Sequence, residues 1–368
     1  MAKMFSSENY KSYFAGENYH KLDEHQRQEL LEFTVEQTRQ DKGLKDVDVS
    51  FQNSSPSLRG SCSPRIGMGG QCKGHKMVLN SDVLTSQNVD VPYGVYNTIN
   101  HELEHASQYE KASNRRIGND NSEVLEQRLN DEHYYSSAGD KIDVSTGRRT
   151  ARFDGQTDYQ LYRAQACEAD ARAAGLNAVE DLEKTNRANG IRDEHAQDYI
   201  ETVKADEVVN NREMMSKLGM HSRENMAREE LEHIPLKQVS RQERKEVLDY
   251  AREKDYETAK TVLSDDSRGQ ATEQQMRQQF NENSRYKDFY QTDRYESNKV
   301  NDSERKNYKY STYKWDSEAE SKEIKDTVST EETQSKSPQQ KSGDNRSDTY
   351  DDFQVEQTNE QNNQSHKH

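Results

Sequence analysis

Residues 101–105 read HELEH: two histidines four apart, with a glutamate beside the first. On a helix, side chains four apart stack one turn above each other, so both imidazoles can reach a single metal ion. The surrounding residues call for that helix. Pro92 suits a first helical turn, and Val95, Ile99, Leu103 and Ala106 recur at helical spacing along one arc. His101 and His105 fall on nearly the opposite arc. Such a helix has to bury its apolar stripe in a core and offer its histidines to a cleft.

Glu102 then flanks the metal, where it can take a proton from bound water. That is zinc-hydrolase chemistry, and it predicts a metal-dependent peptidase with Glu102 as the catalytic base. The extended pattern with Gly and His further along fails, since Gln108 and Lys111 occupy those places. A carboxylate from a later helix is the alternative third ligand, and Glu168 is the leading candidate. Its surroundings, YRAQACEADARAAG at 162–175, are strongly helical, with Leu161, Ala164, Glu168, Ala171 and Gly175 in line. Small residues there let two helix backbones approach closely, as a Zn–O bond of about 2.0–2.2 Å demands. Asp154, Asp158 and Glu180 are other candidates without that surface. Two histidines and one carboxylate leave a fourth position to water, the catalytic rather than the structural pattern of zinc. Asp170 points to a different face, for a supporting or packing role, and Cys167 reads as an ordinary buried thiol.

HELEH followed by EADARAA at 168–174 resembles the gluzincin branch of the zincin metallopeptidases. The likeness is closest to small bacterial and phage-associated proteins of the ImmA/IrrE type and spans residues 20–180. It implies His101, His105 and Glu168 as zinc ligands, Glu102 as catalytic base, and a setting in a mobile element or phage.

Composition limits how much of the chain can pack. Only 29% of residues are hydrophobic, against ~45–50% in ordinary globular domains, so the chain cannot be one core throughout. Its formal charge of −16 argues against a general nucleic-acid coat, which needs basic surface. Three cysteines, Cys62, Cys72 and Cys167, give no disulfide framework; a Cys62/Cys72 bridge or a minor metal site is a secondary reading. The first residues form no apolar leader, and no stretch approaches ~18 apolar residues, so a soluble cytoplasmic protein without a membrane span is expected.

The spacing predicts a helix over 21–41 with Leu22, Leu30, Leu31 and Phe33 as apolar positions, then a strand at 47–51. Residues 54–74 read as a loop or loose hairpin, and 76–80 as a strand placed to be the edge that pairs with an extended substrate. A helix over 121–137 precedes an irregular connection, 137–157, that could cover the cleft. Tyr134, Tyr135, Tyr159 and Tyr162 gather near it, candidates for stabilising an oxyanion. Segments 177–188, 192–218, 222–233 and 240–264 are helical by propensity, with His195, His221 and His233 expected at the surface. From 266 onward polar residues dominate and disorder is expected; Trp315 and its neighbouring tyrosines form a candidate linear motif.

The expected fold is therefore α+β. A zincin-like domain over 1–178 would hold a small, mostly antiparallel sheet and the HELEH helix. A charged helical region (179–265) and a disordered tail (266–368) would follow. The expected activity is a Zn²⁺-dependent endopeptidase acting on protein or peptide substrates. Two other readings stay open: a non-catalytic zinc-binding regulatory protein whose C-terminal helices or tail hold a protein partner, and a metal-free helical scaffold.

Overall fold

Residues 4–53, 60–66, 72–113, 121–135, 140–143, 148–152, 158–234, 236 and 238–282 are described by the computed structural model. All lie within one compact unit, Met1–Phe289; the second unit, Tyr290–His368, falls outside the described residues, and with it the Trp315 motif. The described part is mostly helical, with two small sheets.

A 3-10 turn over Tyr10–Phe14 leads into α1 (Gly16–Lys21) and α2 (Glu24–Asp41). The helix expected over 21–41 is α2, which starts at Glu24 because Asp23 caps it: its carboxylate accepts from the Gln26 N–H at 2.8 Å while Gln26 reaches back to the Asp23 N–H. The first sheet holds β1 (Val47–Gln52), β2 (Gly60–Ile66) and β3 (Cys72–Asn80) in the order β1-β3-β2. It is mixed, not mostly antiparallel. β2 reverses the chain and β3 reverses it again, so β3 pairs antiparallel with β2 and parallel with β1. A second expectation fails with it: residues 76–80 lie in the central strand, its N–H and C=O groups engaged on both sides, and cannot serve as an edge. β2 and β1 are the edges, and Pro64 in β2 suits one.

α3 (Val91–Ser113) carries HELEH, and its stripe of Val95, Ile99, Leu103 and Ala106 is buried against the sheet and α2. After α4 (Ser122–Glu132) come β4 (His133–Tyr135), β5 (Asp140–Asp143) and β6 (Arg148–Arg152), an antiparallel meander. The predicted irregular connection thus contains two strands. DKID and RRTAR hold one aliphatic position each, too few for an alternation to be visible in sequence.

α5 (Asp158–Ala164) and α6 (Ala166–Ala188) follow, then α7 (Glu194–Leu218), α8 (Ser222–His233), α9 (Arg241–Asp266) and α10 (Glu273–Glu282). The expected boundary at 178 falls inside α6. Leu129 of α4 shares a core with Ala227 and Leu231 of α8 and with Val247 and Ala251 of α9, so the charged helices pack by small apolar residues. α10 begins inside the segment expected to be disordered; Met276 and Phe280 are its buried anchors. Two apolar residues a helical turn apart suffice because α9 supplies the rest of the surface. Phe280 also stacks on His221 at 4.3 Å between centroids, so His221 is buried and not a surface residue. No helix among the described residues is long and apolar enough to cross a membrane.

Candidate metal centre

α3 and α6 cross closely. At Gly175 of α6 a Cβ would stand 2.9 Å from the Asn97 carbonyl oxygen of α3, nearer than side chains tolerate. One turn on along α3 and one turn back along α6, His101 feels the Ala171 backbone, and beyond it Gln108 reaches the Cys167 carbonyl at 3.0 Å. The helices therefore run antiparallel, with His101 and His105 facing the start of α6.

The start of α6 is set by a break at Gln165. Asn130 of α4 donates to the Gln165 Oε1 at 3.1 Å and accepts from the Cys167 N–H at 3.1 Å, holding the chain where α5 ends and α6 begins. Sequence composition alone suggested one continuous helix here. The break puts the buried Glu168 in the first turn of α6, where the helix dipole favours a carboxylate.

Three donors converge as a result. His105 Nε2 lies 3.2 Å from His101 Nε2 and 3.5 Å from Glu168 Oε1, and His101 Nε2 lies 3.9 Å from Glu168 Oε2. Ligands at about 2.0–2.1 Å on tetrahedral corners stand about 3.3 Å apart, so a zinc-sized ion fits this set with small adjustment. Protonation suits it too. Burial, then the charges of His105 and Arg172, push the His101 imidazole well below the ordinary histidine range, leaving it neutral. His105 Nδ1 bonds Gln108 Oε1 at 3.0 Å. Because the Cys167 carbonyl can only accept, Gln108 turns its NH₂ there and its oxygen to the histidine, which puts the proton on Nδ1 and the lone pair on Nε2, the nitrogen beside His101 and Glu168.

Glu102 is buried on α3 next to His101 and outside the converging trio. It faces the β2 side: α3 packs along β2, with Gly60 against Thr98, and the Glu102 charge is felt at Cys62. Asp170 points away from the trio, as its spacing required. Arg223 grips it at 2.8 and 3.0 Å while also binding Glu126, and Gln127 donates to it at 3.1 Å. Glu180 pairs with Lys204. Asp154 and the side chains of Asp158, Tyr134, Tyr135 and Tyr159 fall outside the described residues.

Two positioning residues escaped the sequence reading. Gln108 registered only as a failed glycine, although an amide three residues after a histidine is a helical-spacing partner for its ring. Asn130 carried no sequence signal, because its role depends on α4 lying beside the break. Comparison with protein-family models, curated proteins and solved structures found no match.

Proposed function

We propose that the chain is a zinc-dependent endopeptidase of zincin type, with His101, His105 and Glu168 holding the ion and Glu102 as the general base. The observation that carries this reading is the convergence of two imidazole nitrogens and one carboxylate, from separate helices, at spacings that match a tetrahedral ion. Zinc bound there would polarise a peptide carbonyl and make water a stronger acid. Glu102, one residue from His101 and buried, would take the water's proton and return it to the leaving amine. The edge strand β2 lies along the Glu102 side of α3, so an extended peptide could pair with its backbone and be held past the reacting atoms.

The test is metal quantification beside a peptide-library cleavage assay with a chelator control, on wild type, Glu102→Gln, His101→Ala and Glu168→Ala. Glu102→Gln should keep its zinc and lose turnover roughly a hundred- to ten-thousand-fold; the other two should lose zinc. Undiminished cleavage by Glu102→Gln refutes the assignment. Zinc retained by a wild type that cleaves nothing would favour the non-catalytic regulatory reading.

A further inference from the structure

A second group of ligand-type side chains lies on the other side of α3. Cys72 and His75 sit on β3, both buried, and Glu110 reaches them from α3. His75 Nε2 is 2.8 Å from Glu110 Oε1 and 3.8 Å from Cys72 Sγ. Glu110 is five residues beyond His105, which on a helix means about 7.5 Å of rise and about 140° of rotation. The two groups therefore face different neighbours, and ions in them would be too far apart to act as a dinuclear pair, which needs about 3.5–4 Å.

Two chemical readings of a Cys, His and Glu can be separated by geometry. A nucleophilic relay uses both ring nitrogens, thiol on one and carboxylate on the other. Here Cys72 and Glu110 both approach Nε2, so no relay can run through the ring. Convergence on one nitrogen is what donors around a common ion look like. A tetrahedral zinc with a thiolate at about 2.3 Å and an imidazole at about 2.0 Å sets sulfur and nitrogen about 3.5 Å apart, a few tenths of an ångström inside the observed separation. The His75–Glu110 distance is that of a shared proton, which a metal would displace on binding.

The carboxylate is also pre-positioned. The Lys45 N–H donates to Glu110 Oε1 at 3.0 Å, and Lys45 Nζ holds the Cys72 carbonyl at 2.6 Å, so the segment leading into β1 fixes both ends of the group. The Glu110 side chain is 19% exposed, leaving one side of the group open to water.

We infer that Cys72, His75 and Glu110 form a second metal site, separate from the His101/His105/Glu168 centre, that takes a zinc-class divalent ion and ties β3 to α3. Thiolate with imidazole selects zinc or cobalt over calcium and magnesium. The inference does not depend on the proposed peptidase activity.

Cobalt(II) loading of the full chain tests it, because only a thiolate ligand gives the near-ultraviolet sulfur-to-cobalt charge-transfer band. Wild type should show the band, and the His101→Ala/His105→Ala double variant should keep it while losing one equivalent of cobalt. Cys72→Ser should abolish it and Cys167→Ser leave it intact. Glu110→Gln, which spares the buried thiol and ring, should keep the band but weaken cobalt binding roughly tenfold or more. No band in cobalt-loaded wild type overturns the site, as does a band that survives in Cys72→Ser or vanishes in the double variant. Peptide cleavage is read separately, so failure here and failure of the peptidase reading are distinguishable.

Discussion

Gln108 spans the two helices of the candidate centre, accepting from His105 Nδ1 at 3.0 Å and donating to the Cys167 carbonyl at 3.0 Å. It fixes the ring's orientation and its tautomer together. Gln108→Ala should lower zinc affinity about 10- to 100-fold with helix content unchanged, as measured by competition with a chromophoric chelator. Equal affinity in the variant would remove Gln108 from the centre.

The approach of α3 to α6 depends on Gly175. Gly175→Ala sets a methyl against the Asn97 carbonyl oxygen, 2.9 Å away, and helix backbone cannot yield as a side-chain tip can. The expected cost is about 1–3 kcal/mol in denaturant unfolding. A weaker zinc site should accompany it, since parting the helices carries Glu168 away from the histidines. Unaltered stability would mean that the helices separate freely.

Arg223 joins the buried Glu126 and the half-buried Asp170 in an ion cluster between α4, α6 and α8. Arg223→Met strands the Glu126 carboxylate out of water, and about 3–5 kcal/mol of stability should be lost. The exposed pair Lys245–Asp249 is the control: Lys245→Met should leave the unfolding midpoint where it is. Similar midpoints for the two variants would contradict the burial argument.

Asp255 accepts from the Arg223 and Glu224 N–H groups at 3.1 and 2.8 Å and so caps α8. Burial nevertheless pushes its carboxyl up to about 7, above the unfolded value of 3.8. Between those values the folded chain holds a proton that the unfolded chain has released. The group's contribution is therefore complete below 3.8 and is lost as pH rises through about 7, at about 1 kcal/mol per pH unit. Unfolding midpoints of wild type and Asp255→Asn should diverge across this window; parallel curves would show that Asp255 does not titrate there.

Much of this arrangement is legible from local spacing. The period of Val95, Ile99, Leu103 and Ala106 determines which face of α3 is buried, and the same period sets His101 and His105 together on another face. The small residues around Glu168 indicated a close helix approach, and Ala171 and Gly175 provide it. Local patterns cannot say which strand lies at a sheet edge, because strand order is a pairing between distant segments; β3 took the centre and left β2 beside α3. The break at Gln165, the burial of His221 and the folding of α10 likewise depend on neighbours far along the chain, namely Asn130, Phe280 and the apolar surface of α9. The sequence determined faces, since a helix repeats every 3.6 residues whatever surrounds it. Only the tertiary structure decided partners: bringing Glu168 to the histidines and Glu110 to His75 required closing long loops, which packing alone could stabilise.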